Sequence, residues 1–371
     1  MSTQPVHFSR LHGGNGHTVA LARLNTPATL NALTLEMVEA LDAQLVAWAA
    51  DPEVALVVLH GAGARAFCAG GDVHAMRDVA LGQARDEAVA ILTRFFAAEY
   101  RLDHRIHRYP KPILAWGDGI VMGGGLGLLA GASHRVVTEN SRLAMPEINI
   151  GLYPDVGASH FLGRLDALGR FLALTAATLN AADALHCRLA DIALESDAFP
   201  ALLERLAATR WRHDAQDDRA RLTALLSGLA AEAPPTLAPS PVAAHRTAIE
   251  TIASRSTLAE FAAALDVTQD DWLASAREQF AAGSPSSRAL IWEIGERLKD
   301  ASLAEALRAE LALSVNTCLS PDFAEGVRAQ LVDKDKQPRW QPATLAEVDP
   351  ADIAARFDAP WRGPHPLAEL D

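Results

Sequence analysis

Apolar residues recur along this chain at two spacings, and the balance between them shifts about halfway. Val54 to His60 (VALVVLH) is a continuous apolar run, short enough for a strand buried on both faces. Just before it, Val38, Leu41, Leu45 and Trp48 fall at three- and four-residue intervals on one helix face, and Thr34 stands where its hydroxyl would cap that helix. Pro112 to Trp116 predicts a second strand, followed by a glycine cluster and an apolar helix from about Gly124 to Gly131. His134 to Thr138 predicts a third. Such strand-then-helix units predict stacked, mixed α/β layers. From about Leu172 onward Ala, Leu, Arg and Glu dominate and strand patterns fade, so roughly the last 170 residues read as mainly helical. Ala233 to Pro241 (APPTLAPSP) predicts a long loop, because its prolines stop both helix and strand. Gly283-Ser284-Pro285-Ser286 marks a helix start. No internal repeat is evident.

Composition narrows the class. With 371 residues, half of them hydrophobic and 21% charged, the chain can bury a sizeable core and is not disordered as a whole. A formal net charge of -13 argues against a nucleic-acid groove, which needs a basic footprint. The three cysteines, Cys68, Cys187 and Cys318, are odd in number and far apart, which disfavours a disulfide framework or a CxxC metal site. The opening MSTQPVHFSR lacks the basic-then-apolar pattern of a secretory signal, and no apolar run approaches the ~20 residues of a membrane span. A soluble, cytoplasmic protein with no membrane partner is expected.

Two glycine-rich turns each come after a strand: Phe67-Cys68-Ala69-Gly70-Gly71-Asp72 and Met122-Gly123-Gly124-Gly125-Leu126-Gly127, the second opening a helix. Glycine lets backbone approach a ligand closely, and a helix N-terminus leaves N–H groups without internal acceptors. Two such turns brought together could offer two N–H donors to one carbonyl oxygen, as acyl transfer requires. Either turn alone is more simply a packing turn. A pair of acids downstream changes the balance. Glu147 and Asp155 lie in the mostly apolar Met145-Pro146-Glu147-Ile148-Asn149-Ile150-Gly151-Leu152-Tyr153-Pro154-Asp155-Val156-Gly157, where acids are costly to bury unless paired, protonated or used. Two carboxyls at one site can divide the tasks of base or nucleophile and of proton handling. Pro146 in a first helical turn would equally suit a Glu147 that caps a helix or sits at the surface.

Other patterns lead nowhere. Gly61-Ala62-Gly63-Ala64-Arg65-Ala66 matches G-x-G-x-x-A after a strand, but the chain runs into another glycine turn instead of opening a helix, and the region near Glu87 looks helical, so a plain turn is expected. There is no G-x-S-x-G, and the side chains of Ser159 and His160, adjacent in sequence, would point apart. Cys68 reads as a small packing residue. The histidines, among them His74, His104 and His107, show no metal-ligand spacing, so no metal is expected.

These residues together resemble the crotonase (enoyl-CoA hydratase/isomerase) superfamily, and within it the hydrolase branch that acts on 3-hydroxyisobutyryl-CoA. The core of the resemblance runs from Asn31-Ala32-Leu33 to about Arg164 through AFCAGGD (66–72), Lys111-Pro112, GIVMGGGLGL (119–128), RVVTE (135–139) and AMPEINIGLYPDVG (144–157). Ser284-Pro285-Ser286-Ser287 and SPDFAEGVRAQLVDKDKQPRWQP (320–342) look like hydrolase-branch signatures. The glycine turns are common to the superfamily; PDVG and the EGVRA…DKD…P-x-W stretch are far more specific.

The resemblance implies an α/β fold, a superhelix of repeated ββα units with a mainly helical C-terminal part. Joined to the change in composition, it leads to an expected acyl-CoA-binding catalytic core over 1–200 and a mainly helical region packed on it over 201–371. It assigns the oxyanion hole to Gly71 and Gly124, catalysis to Glu147 and Asp155, and substrate contact to Glu99, Ala69, Gly70, Asp72 and Gly123. No cofactor is implied, coenzyme A being part of the substrate, and the implied role is valine catabolism. A homo-oligomer, trimer or hexamer, is compatible with it. Hydratases of the superfamily carry a second glutamate two residues beyond the GGG run, where this chain has Gly127. Three functions stay open from sequence: thioester hydrolysis, hydration or isomerisation of an enoyl-CoA on the same fold, and CoA binding without catalysis.

Overall fold

The computed structural model describes residues 4–13, 16–212 and 214–371. The chain forms two compact units, each assembled from three stretches of sequence. In chain order the strands are β1 Val6–His12, β2 Thr18–Leu24, β3 Val54–Gly61, β4 Ala66–Cys68, β5 Ile113–Gly117, β6 Ile120–Met122, β7 His134–Val137, β8 Arg142–Ala144 and β9 Ile192–Ala193.

The first unit takes residues up to Gly71, Leu102–Leu143 and Leu179–Ala243. Its large sheet is ordered β1-β2-β3-β5-β7-β9, with β1 antiparallel to β2 and each later pair parallel. A second sheet is ordered β4-β6-β8. Thus β3/β4, β5/β6 and β7/β8 each send one strand to either sheet, which is the ββα plan the resemblance implies.

The three strands expected from sequence are β3, β5 and β7. Of these, β3 and β5 read as near-continuous apolar runs because both sheet faces are covered. On one face Leu56, Val58, Leu114, Trp116 and Val136 pack with Leu202, Leu206, Trp211, Leu222 and Leu226. On the other, Ala22, Val57, Leu59 and Ile113 meet Leu41 and Leu45 of the helix Leu35–Ala50. Thr34 caps that helix, accepting from the Met37 N–H at 3.3 Å. The helices Phe199–Ala208 and Ala215–Glu232 therefore belong to the same packed core as the sheet. The expected division at 200/201 falls inside that core.

The second unit takes Asp72–Arg101, Ala144–Thr178 and Ala244–Asp371. It is built largely of helices, and among the described residues no strand comes after β9. The helix Pro285–Arg297 starts where expected, with Ser284 accepting from the Ser287 N–H at 3.1 Å. The helix Leu303–Cys318 opens on a capping box between Ser302 and Glu305. Ala233 to Ser240 is loop, as its prolines dictate. No helix among the described residues is long and apolar enough to cross a membrane.

Candidate active site

The two glycine turns are placed by strand pairing. β4 and β6 are parallel neighbours, with Ala66 opposite Ile120 and Cys68 opposite Val121, so their C-terminal ends leave the sheet side by side. Gly70 lies just beyond one and Gly123-Gly124 just beyond the other. At Gly70 φ is +104°, and a Cβ there would stand 3.3 Å from the Met122 carbonyl oxygen and 3.5 Å from the Gly124 nitrogen, so the two turns touch. Beneath them a Cβ on Gly125 would overlap the Cys68 carbonyl oxygen; only glycine lets the helix Gly124–Gly131 lie this close to β4. As the first residue of that helix, Gly124 has an N–H without an intrahelical acceptor. Ala69 donates to the Leu30 carbonyl at 3.0 Å and Leu33 to the Gly70 carbonyl at 2.8 Å, which pins the first turn from behind. Asp72 caps the helix Val73–Gly82, accepting from the Ala75 N–H at 3.1 Å.

Three acids gather in the second unit. Glu99, Glu147 and Asp155 are buried, at 2%, 5% and 5% exposure. Glu147 opens a short 3-10 turn, Glu147–Ile150, immediately after Pro146. Burial, and then Asp155 wherever it is ionised, push Glu147 and Glu99 well above the usual carboxyl range. Asp155 is raised to about 6 by burial, against the opposing effect of its hydrogen bond to Tyr100. Glu99 Oε1 and Glu147 Oε2 have no hydrogen-bond partner, an expensive condition for buried oxygens unless a ligand completes them.

Around Asp155 runs a chain of hydroxyls. Tyr100 Oη and Asp155 Oδ2 are 2.7 Å apart, Tyr100 Oη and Ser314 Oγ 2.6 Å, and Ser314 Oγ and Tyr153 Oη 2.7 Å. Tyr153 donates to the Glu310 carbonyl oxygen at 2.8 Å. The Glu310 carboxylate, fully buried and raised to about 7 by desolvation, accepts from the N–H groups of Gly157 and Ser159 and from the Ser159 hydroxyl. It therefore holds the backbone on the C-terminal side of Asp155. Val156 between them sits at φ +54°, an outlier for a β-branched residue that these bonds help sustain.

The specific C-terminal stretch is a clamp on this region. Asp322 accepts from the Ser284 hydroxyl at 2.5 Å and the Gln341 N–H at 2.7 Å. Glu325 takes two bonds from the Arg328 guanidinium and one from the Arg339 N–H, while Arg328 also reaches Asp333 and Asp335. Trp340 Nε1 donates to the Ala282 carbonyl at 2.9 Å. Ser284 N–H in turn donates to the Ile148 carbonyl at 3.0 Å, which ties the clamp to the turn carrying Glu147.

The patterns set aside from sequence have other duties. Gly61 to Ala66 is the turn from β3 to β4. Ser159 serves Glu310, whereas His160 faces the Ala301 carbonyl. The three cysteines are buried and none is in a disulfide. Glu310, Ser314, Tyr100 and Tyr153 were not singled out from sequence. The helical spacing of Leu307, Glu310, Leu311, Ser314 and Cys318 was the available signal, since it puts two polar residues on an apolar face.

An interleaved two-sheet ββα core with paired glycine turns defines a crotonase-type protein. The chain belongs to the enoyl-CoA hydratase/isomerase family, which it matches over residues 19–357. It is 37% identical to "3-hydroxyisobutyryl-CoA hydrolase, mitochondrial" of Gallus gallus, over 91% of this chain and 84% of that protein. Among solved structures it is similar to a carnitinyl-CoA dehydratase from Mycobacterium thermoresistibile (TM-score 0.83, 36% identity, 96% and 97% of the two chains). It is also similar to an enoyl-CoA hydratase from Rhodobacter sphaeroides 2.4.1 (TM-score 0.81, 34% identity, 96% and 97%).

Proposed function

We propose that this chain hydrolyses an acyl-CoA thioester, with 3-hydroxyisobutyryl-CoA or a closely related 3-hydroxyacyl-CoA as substrate, and so serves valine catabolism. The observation that carries the reading is the buried trio Glu99, Glu147 and Asp155, two of whose oxygens lack partners. In this reading the N–H groups of Gly71 and Gly124 receive the thioester oxygen and stabilise the charge that grows on it. Ala69, Gly70, Asp72 and Gly123 shape the adjoining backbone for the substrate. Glu147 acts on the carbonyl carbon, as nucleophile or as base for a water. Asp155 positions that water or handles its proton, and the C–S bond breaks to release coenzyme A as a thiol. Glu99 receives the hydroxyl of the acyl group, which would discriminate against substrates lacking it. Coenzyme A arrives as part of the substrate, and no further cofactor enters the scheme.

Gly127, buried in the helix Gly124–Gly131, stands where the superfamily's hydratases carry their second glutamate, and it has no side chain with which to move a proton. That favours hydrolysis over hydration. The test is thiol release from 3-hydroxyisobutyryl-CoA, followed with a thiol reagent, beside the enoyl-thioester absorbance of crotonyl-CoA. Hydrolysis requires thiol release that Glu147→Gln lowers by roughly 10²–10⁴-fold while CoA binding persists. Loss of the crotonyl band without thiol release would move the assignment to a hydratase. Binding without turnover on either substrate would leave a CoA-binding protein.

A further inference from the structure

The hydroxyl chain beside Asp155 contains more short contacts than its hydroxyls have hydrogens. Four O···O contacts run in series: Asp155 Oδ2 to Tyr100, Tyr100 to Ser314, Ser314 to Tyr153, and Tyr153 to the Glu310 carbonyl oxygen, at 2.7, 2.6, 2.7 and 2.8 Å. Each needs one hydrogen between its oxygens. Tyr100, Ser314 and Tyr153 supply one each. The carbonyl of Glu310 can only accept, so Tyr153 must donate to it. Ser314 must then donate to Tyr153, and Tyr100 to Ser314. No hydroxyl hydrogen remains for the contact to Asp155. An ionised Asp155, which also only accepts, would leave two oxygens facing each other with no hydrogen between them, somewhere in a fully buried chain. Such an orphaned contact is costly at these distances.

We infer that Asp155 rests as the neutral acid, donating from Oδ2 to Tyr100 at the head of a one-way chain of four hydrogen bonds that ends on the Glu310 carbonyl. Tyr100, Ser314 and Tyr153 are positioning residues: they fix where the Asp155 proton lies and hold Oδ1 as an acceptor. The surroundings agree. Asp155 is faced by the carboxyls of Glu99, Glu147 and Glu310, the phenols of Tyr100 and Tyr153, the hydroxyl of Ser314 and the thiol of Cys318, with no cation among the groups that shift it. Burial puts its midpoint at about 6, so the neutral acid is its resting form below that pH. For the reaction this makes Asp155, while it keeps that proton, a hydrogen-bonding partner of the water. That last consequence rests on the hydrolase reading; the proton count does not.

The two views of Ser314 predict opposite signs. If Ser314 simply stabilised a carboxylate at Asp155, Ser314→Ala would raise the Asp155 titration midpoint. If the count governs, Ser314→Ala lowers it by about one pH unit, because Tyr100 is then released to donate to the carboxylate. Tyr153→Phe lowers it similarly by freeing Ser314 to donate to Tyr100. Tyr100→Phe raises it, and Ser314→Thr, which restores the hydroxyl, returns it to the wild-type value. The measurement is ¹³C NMR titration of the Asp155 carboxyl carbon in protein labelled at aspartate, assigned with Asp155→Asn. It needs no turnover. A midpoint that rises or stays put in both Ser314→Ala and Tyr153→Phe overturns the inference. Should Ser314→Ala fail to fold, Tyr153→Phe, which keeps the ring, decides alone. Midpoints that move as stated in an enzyme that releases no thiol would retain the proton chain and remove the proposed hydrolysis.

Discussion

The glycine turns of the first unit and the acid cluster of the second solve the problem of precision in different materials. The turns present backbone. Their geometry comes from the parallel register of β4 and β6 and from places where no Cβ fits. The acid cluster presents side chains, held by bonds from residues more than 150 positions away in sequence, such as Glu310 to Gly157 and Ser314 to Tyr153. A backbone site is robust to side-chain loss and fragile to side-chain gain. A side-chain site is the reverse, and its charges also make it responsive to pH.

The sharpest break of this comparison is Gly125→Ala. The new Cβ would overlap the Cys68 carbonyl oxygen, a backbone atom that cannot swing away, so the helix Gly124–Gly131 must shift and carry the Gly124 N–H with it. Loss of an oxyanion donor typically costs roughly 10²–10³ in kcat. We expect a fall of that order in thiol release, with KM for the acyl-CoA changed less. Gly151→Ala is the counterpart in the other unit: φ is +70° and its Cβ would meet the Asp322 backbone at 2.5 Å. It should displace the turn bearing Glu147, with a smaller loss in rate and a clear drop in thermal midpoint. Equal rate losses with unchanged midpoints would erase the distinction between the two sites.

The difference in materials also explains what could be read from sequence. The glycine turns are local words, and the strands β3 and β5 ahead of them are apolar runs, so both were legible. β4, β6 and β8 have three residues each, too few to show a period, and they emerge only because they pair with one another. Glu147 and Asp155 stood out as acids in apolar sequence. Their supports did not, because Glu310 and Ser314 lie on a helix far downstream whose role is set by tertiary packing. The division near residue 200 was drawn from a change in composition, whereas compactness tracks the sheet, which recruits the helix Ala215–Glu232.

A second way to sharpen the comparison is the dependence of stability on pH. Asp155 titrates at about 6 and Glu310 at about 7 in the folded protein, both raised by burial, against about 4 in an unfolded chain. Between those values the folded state holds protons that the unfolded state has released. Their contribution is therefore fully present below about pH 4 and is lost as pH rises through 6 to 7. Urea unfolding should show stability falling by a few kcal/mol from pH 5 to pH 8. The backbone-built turns contribute no such slope. Glu310→Gln should flatten part of it while lowering stability at pH 5, since an amide cannot accept all three of the bonds now made to Glu310. A curve that rises over this window would mean that these carboxyls are ionised in the folded protein.

The smallest effect expected is at the clamp. Trp340→Phe removes one hydrogen bond to the Ala282 carbonyl while keeping most of the aromatic bulk, at a site open to water. A bond of this kind contributes about 1 kcal/mol, so the shift in urea midpoint should be slight. Its value lies in the direction of coupling. Ala282 precedes Gly283 and Ser284, and Ser284 holds the Ile148 carbonyl in the turn that opens at Glu147. If the clamp acts through that turn, Trp340→Phe lowers thiol release by more than its stability loss explains and leaves the pH midpoint of Asp155 where it was. If rate falls only in proportion to folded protein, the C-terminal signature serves folding alone, and the precision of Glu147 is owed to the steric contacts of Gly151 with Asp322.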